Sequence, residues 1–233
     1  MTRQEYYEKL LEIYQPVTVL SRKNEGIAFR LRHRRQNRDI VFHSFSRPCE
    51  AFDILCTIRC ENLPEIYDVI PCSDGQIILE EYIDGMSVFQ HMESQRYHYD
   101  SAKKVLKPLL FALSVLHERG LVHRDVKPEN VMIGNNGRVV LIDFNASRSV
   151  KNVKQDTEIL GTVGYAPPEQ LGLSESDART DVYAVGVLLN VMLTGVHPTK
   201  RIASGKAGKI VRKCTAVNPN DRFQSAMQLY HAL

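Results

Sequence analysis

Two periods of apolar and polar residues run along this chain. Tyr7, Leu10, Leu11 and Tyr14 recur at helical spacing and predict a short amphipathic helix over residues 4–14, which Pro16 ends. Val17–Leu20, Ile27–Arg32 and Ile40–Phe45 read as short strands, the last two joined by a turn at Gln36-Asn37. A helix over Glu50–Ile58 follows Pro48, and Glu65–Ile70 and Gln76–Tyr82 read as a hairpin around Ser73-Asp74-Gly75. Beyond Asp84-Gly85 the period lengthens. Ser87–Ser94 and Ala102–Arg119 read as helices, the second closed by Gly120. Val131–Ile133 and Val139–Ile142 flank an Asn135-Asn136-Gly137 turn as short strands. Residues 143–178 show little periodicity, and Asp181–Leu193, Lys209–Thr215 and Ser225–Leu233 read as helices. The first third is strand-rich and the remainder helix-rich, with the join near residue 83.

Composition narrows the class. The 233 residues are 43% apolar and 24% charged with a net charge of +3, which excludes disorder and low complexity. The most membrane-like stretch, Val182–Leu193, falls short of the roughly 20 apolar residues of a spanning helix. No apolar stretch follows Met1 as in a signal peptide, so a cytoplasmic protein is expected. Cys49, Cys56, Cys60, Cys72 and Cys214 form no Cys-x-x-Cys pair and read as reduced thiols, not as disulfides or a zinc site. Arg30, Arg32, Arg34, Arg35 and Arg38 crowd one segment, but Arg30 and Arg32 alternate with Phe29 and Leu31 at strand period. This reads as a solvated hairpin, and no nucleic-acid partner is expected.

Chemistry concentrates in His123-Arg124-Asp125-Val126-Lys127-Pro128-Glu129-Asn130, in Asp143-Phe144-Asn145, and in Gly161-Thr162-Val163-Gly164-Tyr165-Ala166-Pro167-Pro168-Glu169. Three such motifs, in this order and spacing, resemble the eukaryotic-type serine/threonine protein kinases, especially those of bacteria, from about residue 17 to residue 233. The resemblance implies an α+β, bilobal fold: a small antiparallel sheet with one main helix in the N-lobe, and a larger, mainly helical C-lobe. Residues 1–15 would form an N-terminal helical extension, 16–83 the N-lobe, and 84–233 a C-lobe shortened around 194–208.

The implied activity is transfer of the ATP γ-phosphate to a Ser/Thr hydroxyl of a protein substrate. Such transfer demands positioning and charge neutralisation more than covalent work. Asp125 would orient the hydroxyl, Lys127 would steady the phosphoryl group, and Asn130 and Asp143 would hold Mg²⁺, a hard cation suited to oxygen donors. Thr162 matches the position that bonds the catalytic Asp and Lys in Ser/Thr-specific members. His123, Arg124 and Phe144 would support the site, Asp181 would hold the catalytic-loop backbone, and Glu169 would pair with Arg222. Thr157 is the candidate phosphosite that Arg124 would read, with Ser147 and Ser149 behind it.

The N-lobe motifs depart from the pattern. The implied ATP contacts are Ala28, Val41, Glu81, Ile83 and Met132, together with Lys23 and His43 where the family differs. Ser21 and Lys23 stand where glycines would admit phosphate, with only Gly26 retained. His43 stands in place of the strand lysine and Ala51 in place of the helix glutamate, with Glu50 one residue off. Glu80 occupies the gatekeeper position, where it could pair with His43. Lys23, Arg30 or Arg32 could substitute for the lost ammonium, and Asn145 replaces the usual glycine after Asp143-Phe144. These losses leave two readings open: a weak or atypical kinase, or a pseudokinase acting as a nucleotide-binding or protein-binding scaffold.

Overall fold

The computed structural model describes residues 1–23, 26–149, 164–167 and 176–233, with Lys23 described by its backbone alone. The chain divides into two compact units, Met1–Arg59 with Pro64–Ile83, and Cys60–Leu63 with Asp84–Leu233.

The first unit opens on helix α1 (Arg3–Leu10), started by a capping box in which Thr2 and Glu5 each accept the other's backbone N–H. The helix ends at Leu10, short of the residue 14 that periodicity suggested. Tyr14 instead begins strand β1 (Tyr14–Lys23), where it pairs with His33. Pro16 does not end a helix here. It lies on a sheet edge, where a residue without an N–H is tolerated. The ladder shifts register between Pro16 and Thr18 and again between Val19 and Ser21, bulges that twist the edge strand.

Strands β2 (Gly26–His33) and β3 (Asp39–Phe45), helix α2 (Ala51–Leu55), and strands β4 (Ile66–Cys72) and β5 (Gly75–Glu81) complete this unit. The five strands form one antiparallel sheet in the order β1-β2-β3-β5-β4. Strand alternation sends Phe29, Leu31, Ile40, Phe42 and Leu79 to one face, where Leu10, Tyr6 and Tyr7 of α1 pack on them. Ala28, Val41, His43, Ile78 and Glu80 share the other face, against which Phe52 of α2 lies. The helix of the N-terminal extension and the helix that follows β3 thus lie on opposite faces of the sheet. The expected helix over Glu50–Ile58 contracts to five residues, because the chain turns at Cys56–Thr57, where the Thr57 hydroxyl donates to the Ile54 carbonyl.

The second unit holds strand β6 (Gly85–Ser87) and helices α3 (Val88–Ser94) and α4 (Tyr99–Glu118). Short strands β7 (Leu121–Val122), β8 (Val131–Gly134), β9 (Val139–Leu141) and β10 (Arg148–Ser149) come next. Helices α5 (Ala178–Thr194), α6 (Gly205–Cys214) and α7 (Ala226–Ala232) follow. Strands β6, β8 and β9 form one small sheet, and β7 pairs with β10. Helix α5 is the core of this unit. Val182, Val185, Val187, Leu188 and Met192 are all buried, and so are the polar Asp181 and Asn190. A Cβ on Gly186 would lie 2.2 Å from the Cys214 Cβ, so the absent side chain is what lets α5 and α6 approach. Burial pushes the Cys214 thiol up to about 12.

Helix α6 begins at Gly205, ahead of the predicted Lys209. Gly205 and Gly208 argue for loop by propensity, but Gly208 sits where a Cβ would come within 1.9 Å of the Ala203 carbonyl oxygen, so tertiary packing requires it. Asn190 organises the segment between these helices. Its Nδ2 donates to the Val196 and Arg201 carbonyls at 2.8 Å each, and its Oδ1 accepts from Ala203 N at 2.8 Å. Among the described residues, no helix is long and apolar enough to cross a membrane.

Candidate functional site

In the second unit the site begins with a buried carboxylate. Asp181, fully buried near the start of α5, accepts the backbone N–H of His123 at 2.9 Å and of Arg124 at 2.8 Å. His117 of α4 places its Nε2 2.8 Å from the same carboxylate. Burial alone would raise this carboxyl. The hydrogen bond and charge of His117, with the His123 contacts behind them, hold it below the usual carboxylate range instead. Asp181 is therefore ionised and accepts throughout, so His117 donates from Nε2.

The loop after β7 hangs from this anchor. His123 is fully buried, which keeps its imidazole below its ordinary value and neutral. Its Nδ1 accepts the N–H of Asp125 at 3.3 Å, so the proton sits on Nε2 and is donated to the Ile142 carbonyl at 3.1 Å. The ring also meets Phe144 edge-on, with centroids 5.1 Å apart. One imidazole thus ties the His123–Asn130 loop to the segment that carries Asp143. The tie is doubled where Ile142 N donates to the Asn130 carbonyl at 2.9 Å.

Within this frame the Asp125 carboxylate receives Lys127 Nζ at 2.8 Å and Asn130 Nδ2 at 3.0 Å. Asn130 Nδ2 also donates to the Asp125 carbonyl at 2.8 Å. The amide nitrogen of Asn130 is thus committed to the loop, while its Oδ1, a hard oxygen, meets no donor among the described residues. Among the described residues, two non-glycine residues sit in the left-handed region, Arg124 at φ 68° and Asp143 at φ 66°. Each costs on the order of 1–3 kcal/mol, which the surrounding hydrogen bonds must hold in place. The positive φ falls on Asp143 and not on Asn145, so the asparagine in place of glycine is accommodated without left-handed backbone.

Further out, Gly164–Pro167 meets the loop after α5. His197 Nε2 lies 2.7 Å from the Gly164 carbonyl oxygen. Its Nδ1 accepts the Thr199 N–H at 3.3 Å, so Nε2 is again the donor. Burial, with the nearby Glu129 carboxylate, pushes the Tyr165 phenol up to about 12. Arg222 is 2% exposed and donates to the carbonyls of Ala216, Val217 and Arg179 while lying over the Tyr183 ring. Its expected partner Glu169, and Thr157 and Thr162, lie outside the described residues, as does the Lys23 side chain.

In the first unit, Ala28, Val41, His43 and Glu80 share one sheet face, with His43 Nε2 2.9 Å from Glu80 Oε1. The imidazole stacks on Phe45, with ring centroids 5.6 Å apart and planes 7° apart. Ala51 is buried while Glu50 is exposed. Arg30 and Arg32 lie on the same face as His43, but both guanidinium groups close on Asp39, and Arg30 also covers the Tyr82 ring. The Asp39 carboxyl is lowered by the hydrogen bond from Arg32 and by the Arg30 pair. Both guanidinium groups are thus engaged by Asp39. The Glu81 N–H is taken by the Glu65 carbonyl at 2.8 Å. Ile83 ends this unit, whereas Met132, on β8, belongs to the second.

Reasoning from sequence missed His117, Asn190 and His197. The first two offer only the weak signal of a polar residue inside a run of apolar helix positions, and His197 offers none.

A family model described as the protein kinase domain matches residues 48–232. A probable serine/threonine-protein kinase PknB of Lactococcus lactis is 32% identical over 171 residues, 72% of this chain and 27% of that protein. The serine/threonine-protein kinase PknL of Mycobacterium tuberculosis is 48% identical over 96 residues, 40% of this chain and 24% of that protein. An Aurora kinase of Eremothecium gossypii is 27% identical over 200 residues, covering 85% of this chain and 54% of its own length. The chain thus spans about a quarter of the length of the two bacterial relatives.

Proposed function

Because the chain belongs to the protein kinase domain family, we propose that it is a serine/threonine protein kinase that transfers the γ-phosphate of ATP to a hydroxyl of a protein substrate. The observation that carries this reading is the Asp125 carboxylate, held by Lys127 and Asn130 on a loop that Asp181 anchors from below.

Each side chain has a task that follows from its chemistry. Asp125 orients the substrate hydroxyl and takes its proton on a carboxylate oxygen. Lys127 carries the positive charge next to that carboxylate and steadies the transferring group as a point charge. Asn130 Oδ1 and the Asp143 carboxylate form a hard-oxygen donor set that fits a small divalent cation. When bound, Mg²⁺-ATP supplies the phosphoryl group and the cation that neutralises its charge. Thr162 is assigned to hydroxyl-substrate selection by sequence position. Arg124, beside Asp125, is assigned to reading a phosphate on Thr157.

The first unit limits the rate. An imidazole bound to Glu80 grips a polyphosphate less well than a free ammonium does, and Ala51 offers no carboxylate to brace one. We therefore assign slow turnover to this chain. The test is transfer of labelled phosphate from ATP to a panel of serine- and threonine-containing peptides, with Asp125→Asn as the control. It is paired with nucleotide-induced thermal shifts with and without Mg²⁺ for wild type and Asp143→Asn. Transfer that Asp125→Asn abolishes, and a Mg²⁺-dependent shift that Asp143→Asn abolishes, are expected. A wild type that shows a shift but no transfer has the scaffold function instead.

A further inference from the structure

From Val182 to Asn220 the chain contains no aspartate or glutamate, yet it carries Lys200, Arg201, Lys206, Lys209, Arg212 and Lys213. Without these six cations the chain's net charge of +3 becomes −3, so its positive balance resides in this segment. All six side chains are exposed. Four of them line the outer stripe of α6, at the i, i+3, i+6 and i+7 positions from Lys206, while Ala207, Ile210, Val211 and Cys214 fill its inner face. Lys200 and Arg201 precede the helix in the loop whose Ala203 carbonyl abuts Gly208.

The fold gives no reason for this charge. Arg212 and Lys213 suit the C-terminal end of a helix dipole, but Lys206 lies in the first turn, where a cation is unfavourable and an acid is preferred. Among the described residues none of the six meets an aspartate or glutamate: Lys206 donates to the main-chain oxygen of Leu233, Arg201 to the Thr194 carbonyl, and Lys213 lies over the Phe223 ring. On α4, by contrast, Lys103 pairs with Asp100. A row of like charges on one helix repels itself and presents a positive surface to the surroundings.

We infer that the exposed face of α6, with Lys200 and Arg201, is a docking surface for an acidic segment of a protein. That segment is a carboxylate-rich stretch separate from the residue to be phosphorylated. As a route for substrate capture this rests on the kinase reading; the binding itself does not. Charge complementarity selects the occupant. A single-stranded nucleic acid would call for exposed aromatic rings among the cations, and between residues 182 and 220 the large exposed apolar side chain is Val217 instead. A membrane surface would call for apolar side chains on the exposed face, whereas those of α6 are turned into the core.

The experiment measures fluorescence anisotropy of a labelled peptide rich in glutamate and aspartate and lacking Ser, Thr and Tyr. It compares the full chain, the Lys209→Glu/Arg212→Glu variant and the milder Lys206→Ala/Lys209→Ala variant, each checked by thermal melting. Saturable binding that weakens with salt, and that falls about tenfold or more in the charge-reversed variant and by less in the alanine variant, is expected. Equal binding by wild type and the folded variants overturns the inference. So does equal binding of a glutamine-substituted peptide, or tighter binding of single-stranded RNA or of phosphatidylserine vesicles. Kinase assays with substrates that carry the acidic stretch separate the two proposals. Binding without any transfer removes the kinase reading and leaves the docking surface. Transfer with unchanged KM and unchanged binding in the variants removes the docking surface and leaves the kinase reading.

Discussion

His43 Nε2 and Glu80 Oε1 lie 2.9 Å apart on one face of the five-stranded sheet, and both side chains are largely withdrawn from solvent. The Cα partners across the ladder are His43 with Ile78 and Glu80 with Val41, so the pair is a diagonal contact between neighbouring strands. It joins the two residues that the family resemblance assigns to the strand-lysine and gatekeeper positions. The imidazole also packs beside Phe45 and Phe52 in a cluster of three rings, and it is shorter and stiffer than a lysine side chain would be.

Replacing this imidazole is expected to improve the site. His43→Lys puts a longer, always charged group on the same face, while Arg30 and Arg32 remain tied to Asp39. In steady-state kinetics kcat/KM for ATP should rise by about tenfold or more, with the KM for peptide unchanged. An unchanged kcat/KM would mean that another cation already grips the nucleotide.

Asp181 should be the most costly polar position. Asp181→Asn keeps the shape but removes the charge that His117 and two backbone amides share, a loss of about 3 kcal/mol for a buried network. Urea unfolding measures it. His117→Ala should cost less, because the two amides remain bound.

Stability should fall on the acid side. Burial, against the pull of Asp181, Asp125 and Asp143, holds His123 below 6.5, so the unfolded chain takes up a proton near pH 6.5 that the native chain refuses. Asp181 acts in the same direction at lower pH. Its folded value lies below 3.8, so its contribution is present above pH 3.8 and is lost as pH falls through the folded value. Urea midpoints should therefore decline as pH drops below 6.5, and His123→Asn should flatten the upper part of that decline.

Asn190 staples the segment that follows α5. Asn190→Leu would leave the Arg201 carbonyl and the Ala203 N–H without their partner, and the Val196 carbonyl with the Thr194 hydroxyl alone. The expected cost is about 3 kcal/mol, with faster proteolytic cleavage between residues 195 and 204.

His197 donates to the Gly164 carbonyl within the segment expected to face substrate. His197→Phe should raise the KM for peptide several-fold, in line with the roughly 1 kcal/mol of one hydrogen bond, and leave kcat nearly unchanged. His197→Gln, which can still donate, should recover part of the loss. Equal effects on KM and kcat would contradict a role in positioning the peptide.

Local patterns made much of this legible in sequence. Every long helix of the second unit was visible from its apolar period, and the motif around Asp125 was visible because its residue types sit close together in the chain. The failures lie where a short-range signal met a long-range constraint. Tyr14 continues the period of α1, but its pairing with His33 draws it into a strand. Gly205 and Gly208 read as loop because propensity cannot register the Ala203 carbonyl that excludes a side chain.

The sequence by itself determined the fold class, the family and the identity of the groups that would do chemistry, because these depend on residue types and spacings along the chain. Tertiary structure alone decided what each group is bound to. It set Asp181 under the His123–Arg124 backbone, drew in His117 from another helix, closed Arg30 and Arg32 on Asp39, and turned the cations of α6 to solvent. Partnership depends on distance in space, and a hydrogen bond between residues 64 positions apart leaves no periodic trace in the chain that makes it.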